Sequence, residues 1–414
     1  MNTTTAPRVA LFTDSYYEAN GVARTANALE AFAAERDRPL LVVHGGRADQ
    51  LVESGSIARL ELNRWRLTSV ALEHDLRFDA ALWRQTWRVA RVLRWFQPDV
   101  LHFTGPSDIG QIGMLLGGCL GIPMVGSWHT NLHEYASRRL LSHLPAAGER
   151  TRMHVRWLVE RFTLRLATLF YRIPPRVVLA PNEEWAAILE WHTRKPTFVM
   201  TRGVDTAHFN PSRRTRSDVG VNVGYVGRLS VEKNVRALAV VRDELARAGV
   251  DNVRFTIVGD GIEREWLQAQ LPGATFTGVL RGDALADAYA NLDLFVFPSE
   301  TETVGNVILE AMASGVPVVA MARGGQKYIA ASPASAVLAH SVSELAEATV
   351  RLARDPARRQ AMSAAARNAA VARGWAAVFD VVYRAYDMAL TGLDPRERTA
   401  DKPHATISEE QSAA

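Results

Sequence analysis

Short runs of apolar and β-branched residues alternate along the chain with longer stretches whose apolar positions recur at helical spacing. The runs predict strands at Arg8–Thr13, Pro39–His44, Val100–Phe103, Pro123–Ser127 and Arg176–Ala180. A second series follows at Val221–Val226, Arg254–Val258, Ala274–Thr277, Leu294–Pro298 and Pro317–Ala320. Helical patterns fall between them at Trp83–Phe96, Val235–Ala248, Glu263–Leu271, Ala284–Ala290 and Glu344–Asp355. Each strand is nearly all apolar, as a parallel strand must be when helices cover both faces of its sheet. The alternation predicts an α/β chain with two parallel-sheet domains. The polar run Ser212–Asp218, following Pro211, separates the two series and reads as a linker over 204–218, between domains at 1–203 and 219–374. Ligands of open parallel sheets bind beyond the carboxyl ends of the strands, so a cleft between two such edges is the expected site. The end of the chain, 393–414, is polar, carries no aromatic residue and is expected to be disordered.

Composition narrows the class. Hydrophobic residues are 48% and charged residues 22% of 414, the balance of an ordinary globular protein. A single cysteine, Cys119, excludes a disulfide framework and a cysteine-based zinc cluster, and suits a reducing compartment. The net charge of +4 is uneven: residues 1–205 carry 25 Lys and Arg against 20 Asp and Glu. The longest uncharged stretch, Ile109–Trp128, is interrupted by glycines and Pro123, and reads as a buried helix followed by a strand. No targeting segment is expected from the polar start Met1–Arg8, which points to a cytoplasmic protein.

Four stretches carry candidate chemistry. Pro298–Gly315 follows a strand and opens a helix, so the amides around Val304, Gly305 and Asn306 are available to a phosphate or sugar oxygen. Glu302 and Glu310 flank that start and are placed to hold vicinal hydroxyls. Either one alone reads first as a capping acid or part of a solvated helix face, and the surrounding string turns the reading toward binding. Gly227-Arg228-Leu229 and Lys233 bracket a second helix start, where guanidinium, ammonium and amides make a diphosphate clamp. Gly21 follows the first strand and lets backbone amides approach an anion. His129 sits at the carboxyl end of a strand. There is no Walker loop, no Gly-x-Ser-x-Gly elbow, no Asp-x-Asp and no metal-ligand spacing, so neither a metal nor a further cofactor is expected.

The pair Glu302 and Glu310, together with Gly227-Arg228-Leu229, Lys233 and Val258-Gly259-Asp260-Gly261, resembles the retaining family 4 glycosyltransferases over residues 8–392. The resemblance implies the GT-B architecture, two Rossmann-like domains facing across a cleft, with a final helix over 375–392 that crosses back to the first domain. By the same resemblance, Glu310 holds the ribose of a sugar nucleotide. Glu302, with Thr303, Val304, Gly305 and Asn306, holds the donor sugar. Arg228 and Lys233 neutralise the diphosphate, Gly21 and Gly227 close on it, and His129 meets the sugar near the reacting carbon. Loops at Gly259 and Val279 border the base. Val304 stands where the family usually has Phe.

Phe12-Thr13-Asp14, Asn20-Gly21-Val22, Ser127-Trp128-His129-Thr130 and Arg202-Gly203-Val204-Asp205 resemble the lipid-directed mannosyl- and glucosyltransferase branch. That implies hexose transfer with retained configuration, first from GDP-mannose, otherwise from UDP-glucose, UDP-glucuronate or UDP-galactose, to a lipid or lipid-linked glycan. Diacylglycerol and a small soluble molecule are the other acceptors weighed; a nucleotide-sugar binder without turnover is disfavoured by the intact motifs. No carboxylate is an evident covalent nucleophile, so front-face transfer is expected, the departing phosphate taking the acceptor's proton. Arg138–Arg176 holds nine arginines against Glu149 and Glu160, with Trp157, Phe162, Phe170 and Tyr171 among them. Such a stretch suits an anionic membrane surface and peripheral attachment to the inner face of the cell membrane. The helix Trp83–Phe96 has a similar mix, which equally suits a core stripe with a solvated arginine face. Nucleic acid is not an expected partner.

Overall fold

The computed structural model describes residues 6–18, 21–65, 68–73, 76–79, 81–129, 149–218, 220–300, 305–330 and 332–392. They divide into two compact units. One runs to Met200 and resumes at Phe379, and the other is Thr201–Val378.

The first unit is built on an eight-stranded sheet. Its strands are β1 (Val9–Thr13), β2 (Leu40–Gly46), β3 (Gln50–Ser54), β4 (Ile57–Asn63), β7 (Val100–Phe103), β8 (Met124–Ser127), β9 (Val177–Ala180) and β10 (Thr197–Val199). Their order is β10-β9-β8-β7-β1-β2-β4-β3. Neighbours are parallel except β3, which returns antiparallel on β4. A separate antiparallel pair joins β5 (Ser69–Glu73) and β6 (Leu76–Asp79). The crossover helices include α1 (Gly21–Glu35), α2 (Thr86–Phe96), α3 (Asp108–Leu120), α4 (Glu149–Arg172) and α5 (Glu183–Thr193). The Ser107 side chain caps α3 by accepting from the Gly110 amide, and Gly121 ends it in the left-handed conformation. A buried Arg64–Asp108 pair, bonded at 3.1 and 2.7 Å, ties the end of β4 to the start of α3.

The second unit is a six-stranded, wholly parallel sheet. Its strands are β11 (Val221–Val226), β12 (Val253–Val258), β13 (Thr275–Gly278), β14 (Leu294–Phe297), β15 (Val318–Met321) and β16 (Ala336–Ala339), in the order β13-β12-β11-β14-β15-β16. The helices after them are α6 (Ala237–Arg247), α7 (Arg264–Gln270), α8 (Gly282–Ala290), α9 (Asn306–Ala313), α10 (Gln326–Ile329), α11 (Val342–Arg354) and α12 (Pro356–Val371). β11, β14 and β15 are buried along their whole length, which is why their sequences carry no alternation. A last helix, α13 (Trp375–Thr391), begins in the second unit and continues in the first from Phe379. There Phe379 and Tyr383 pack on Phe32 of α1, with ring centroids 5.3 and 5.8 Å apart.

Three expectations need correction. The stretch read as a linker over 204–218 is fastened along the second unit: Arg213 pairs with Asp283 and Asp287, and Arg214 and Arg216 pair with Asp293. The boundary accordingly falls at Met200, ahead of the polar run. The pattern at Trp83–Phe96 is a 3₁₀ turn over Leu82–Gln85 followed by α2. The strands β3, β4, β5, β6, β10 and β16 add to the ten read from the sequence. The tail 393–414 lies outside the described residues.

Candidate functional site

Each sheet has one point where its strand order reverses, and the candidate residues gather at these points. In the second unit the chain runs from β11 outward through β12 to β13, then returns to β14 on the other side of β11. The crevice outside the carboxyl ends of β11 and β14 is therefore the topological binding position. Gly227 and Arg228 follow β11; Pro298 and Ser299 follow β14, with Gly305 opening α9 beyond them. Gly259 follows β12 and Val279 follows β13.

Backbone contacts fix these turns. The Gly227 amide donates to Val258 (3.0 Å), Leu229 to Asp260 (2.9 Å), Gly259 to Gly278 (2.8 Å) and Glu263 to Leu229 (3.0 Å). Gly259 has φ +137°, and a Cβ there would lie 1.9 Å from the Gly227 carbonyl oxygen. Only glycine permits two turns to approach so closely. The buried Tyr225 hydroxyl donates to the Arg228 carbonyl (3.0 Å) and holds the base of that side chain. Arg228 itself projects to solvent, with Glu232 at 3.7 Å. The Glu232 carboxyl is held below its usual range by the Ser230 hydroxyl and a backbone amide, with Arg228 and Lys233 adding charge. Lys233 closes a short 3₁₀ turn, Val231–Lys233. Asn234, next in the chain, donates to the Pro298 carbonyl at 3.4 Å and ties that turn to the end of β14.

Gly305 caps α9 at φ +81°, a left-handed conformation that favours glycine. Glu310 lies one helix turn further in, buried, and accepts from the Tyr289 hydroxyl at 2.9 Å. Glu302, Thr303 and Val304 lie outside the described residues. Near Gly305 are buried polar atoms of Asn306, already a candidate, and of Ser299 and Gln326, which the sequence reading did not single out. Ser299 Oγ, Asn306 Oδ1 and Gln326 Oε1 are buried with no hydrogen-bond partner among the described residues. The Gln326 amide meanwhile donates to the Ser299 carbonyl at 2.5 Å. Orphaned buried polar atoms are costly in a folded protein, and three near the start of α9 mark a place built to meet polar groups. Only Gly324-Gly325 before Gln326 hints at this in the sequence.

In the first unit the order reverses between β1 and β7. A cavity opens there, lined by Leu11 of β1, Thr25 of α1, His102 and Thr104 at β7, His129 beyond β8, and Val382 of α13. Gly21 is the first residue of α1, and its carbonyl accepts from the Thr25 hydroxyl (2.9 Å). His129 follows β8 by two residues and shares a hydrogen bond with Ser127 Oγ (2.7 Å). Asp14, following β1, accepts from Ser107; burial pushes its carboxyl up to about 6. The candidate residues thus form two groups: Gly21 and His129 in the first unit, and Gly227, Arg228, Lys233, Gly259, Val279, Gly305, Asn306 and Glu310 in the second.

Similarity to known proteins follows the same division. Residues 19–201 match the family model of glycosyl transferase 4-like domains. Residues 220–355 match that of glycosyl transferases group 1. A GDP-mannose-dependent alpha-mannosyltransferase of Mycolicibacterium smegmatis is 35% identical over 73% of this chain and 77% of its own. One of the same description from Corynebacterium glutamicum is 30% identical over 96% and 94%. Alpha-monoglucosyldiacylglycerol synthase of Streptococcus pneumoniae is 25% identical over 76% and 70%. Among solved structures, a glycosyltransferase from Rickettsia africae aligns with TM-score 0.67 over 94% of this chain and 100% of that one, at 12% identity, a likeness of fold. With both family models matched in chain order on two parallel-sheet units, the chain belongs to the family 4 glycosyltransferases, hexose-transferring enzymes of the GT-B fold.

Proposed function

We propose that the protein transfers an α-mannosyl residue from GDP-mannose to a lipid or lipid-linked glycan at an anionic membrane surface. The observation that carries the donor is the match, along nearly the whole of both chains, to the GDP-mannose-dependent enzyme of Corynebacterium glutamicum. In this reading Arg228 and Lys233 meet the diphosphate, and their positive charge stabilises the departing GDP without a metal ion. Glu310 holds the ribose, fixed by Tyr289. Glu302, Thr303, Val304, Gly305 and Asn306 receive the sugar. Gly21 and His129 serve the reacting end. The acceptor oxygen bonds to C1 as the C1–phosphate oxygen bond breaks, and the proton passes to the released phosphate.

Two features support the membrane part. Phe162, Leu166, Leu169 and Ile173 recur at helical spacing on α4 and its exit, all exposed, at 68, 60, 48 and 73%. Arg161, Arg165 and Arg172 share the same stretch and are exposed too. On α2, Trp87 and Trp95 are exposed, with Arg91 over the Trp87 ring at 4.7 Å. Apolar residues flanked by arginine are the composition of an interfacial helix. No helix among the described residues is long and apolar enough to cross a membrane. Of the basic stretch expected at Arg138–Arg176, residues 138–148 lie outside the described residues.

Donor and acceptor are tested separately. A thermal-shift titration with GDP and with UDP reads the base: a ligand at 100 times its Kd adds about 2.7 kcal/mol of stability. Stabilisation by UDP alone would overturn the GDP-mannose reading. It would favour the second one, a UDP-sugar diacylglycerol glycosyltransferase, which the similarity to the Streptococcus pneumoniae enzyme supports. Failure to sediment at low salt with vesicles containing anionic lipid would overturn membrane attachment.

A further inference from the structure

A chain of buried polar side chains leads from the last helix to His129. The Tyr386 hydroxyl lies 2.8 Å from His102 Nδ1, His102 Nε2 lies 2.9 Å from Ser127 Oγ, and Ser127 Oγ lies 2.7 Å from His129 Nε2. Tyr386, His102 and Ser127 are 0, 3 and 0% exposed, so water is excluded from the chain. The strands put them there. His102 is in β7 and Ser127 ends the adjacent β8, paired in parallel register. Tyr386 arrives on α13, 284 positions after His102.

The direction of each hydrogen bond follows from counting protons. Burial pushes His102 down to about 3, so its ring is neutral and carries one N–H. The Tyr386 O–H has His102 as its only hydrogen-bond partner among the described residues. Leaving that buried O–H unpaired would cost about 1–3 kcal/mol, so Tyr386 donates and His102 Nδ1 accepts. His102 therefore holds its proton on Nε2 and donates to Ser127 Oγ. The Ser127 proton then goes to His129 Nε2 at 2.7 Å in preference to the Phe103 carbonyl at 3.5 Å.

We propose that Tyr386, His102 and Ser127 are positioning residues that set the tautomer of His129, holding its proton on Nδ1 and its ring at the wall of the cavity. The function this serves rests on the glycosyl-transfer reading above; the tautomer itself does not. A histidine that meets a substrate as a donor must present the right nitrogen, and which nitrogen carries the proton is set by what the other one bonds.

The test is nitrogen NMR of the full-length enzyme labelled with ¹⁵N-histidine, with His129 assigned by comparison with His129→Gln. In the wild type, Nδ1 should be protonated and Nε2 bare. Tyr386→Phe removes the first donor. His102 is then free to carry its proton on Nδ1, Ser127 turns to donate to His102 Nε2, and His129 must supply the proton at Nε2. A redistribution toward the Nε2–H form in Tyr386→Phe and in Ser127→Ala is the expected result. A wild-type His129 protonated on Nε2, or a spectrum unmoved by both substitutions, overturns the proposal. In parallel, Tyr386→Phe should lower kcat about tenfold while the Kd for GDP stays within twofold, because the nucleotide groups lie in the other unit. A tautomer change with kcat unaltered would leave the relay standing and refute the part given to His129 in transfer.

Discussion

The close contact between Gly227 and Gly259 makes a quantitative test of how the proposed diphosphate clamp is held. Adding a single methyl at Gly259 places Cβ 1.9 Å from the Gly227 carbonyl oxygen and 2.9 Å from its carbon. Both are backbone atoms and cannot swing aside. To reach even 3.0 Å the two turns must separate by about 1.1 Å. Gly227 carries Arg228 directly behind it, so the guanidinium moves with the turn. A misplacement of about 1 Å at a reacting site costs roughly 10²-fold in rate, equivalent to about 2.7 kcal/mol. Gly259→Ala should therefore reduce kcat/KM by about 10²-fold, and overpacking should lower global stability by about 1–3 kcal/mol. The control is Gly249→Ala. Gly249 is also in the left-handed region, at φ +67°, but a Cβ there meets nothing within 4 Å. That variant should lose only about 1 kcal/mol of stability to backbone strain and keep its activity. Steady-state kinetics on both proteins, well below their unfolding temperatures, decide the matter. A Gly259→Ala enzyme within threefold of wild type would refute the claim that the stitched turns position Arg228.

Three further outcomes are expected. Arg228→Ala and Lys233→Ala should each lower kcat/KM by 10²-fold or more, about 2.7 kcal/mol; unchanged rates in both would remove them from the clamp. Excess EDTA should leave initial rates unaltered, and recovery of a lost rate on adding Mg²⁺ or Mn²⁺ would contradict charge neutralisation by side chains alone. Acid stability should reveal two opposed groups in the first unit. His102 titrates at about 3 folded against 6.5 ordinarily, so it withdraws stability as pH falls below 6.5, by about 1.4 kcal/mol per unit at most. Asp14 titrates at about 6 folded against 3.8 ordinarily, so it withdraws stability as pH rises from 3.8 to 6. Asp14→Asn should steepen the loss of stability between pH 6 and 4 in urea titrations, and His102→Gln should flatten or reverse it. An Asp14→Asn slope equal to wild type would refute the opposition.

Most of the strands legible in the sequence are buried along their whole length. β7 and β11 run where continuous apolar residues put them, Val100–Phe103 and Val221–Val226. Two of the strands that escaped, β3 and β4, carry polar residues along their length. β3 is exposed throughout and pairs at the sheet edge. β4 is buried but carries Arg59 and Glu61, which read as surface residues. In the fold Arg59 bonds Glu30 of α1, while Glu61 accepts from the amides of Arg47 and Ala48 and from Gln50. The arginine run after Pro211 misled for the same reason. Its partners Asp283, Asp287 and Asp293 are 70 or more positions away, and composition cannot announce a distant partner.

The candidate site divides along the same line. In a doubly wound sheet the loops at the reversal point receive their neighbours from the next strand or helix in the chain, so the groups that cradle a ligand cluster into motifs. In the proposed site Gly227, Arg228 and Lys233 are one such cluster, and Gly305, Asn306 and Glu310 another. What orients a side chain within the site comes from wherever the fold brings it. Ser299 and Gln326 meet through two adjacent strands, β14 and β15, and neither stands out in its own segment. His129 is visible as a histidine just past a strand, yet the group proposed to govern its proton, Tyr386, lies on α13, 257 positions further along. Because Tyr386 lies within α13, which joins the first unit from Phe379, the chain must be synthesised well into α13 before His129 acquires its setting.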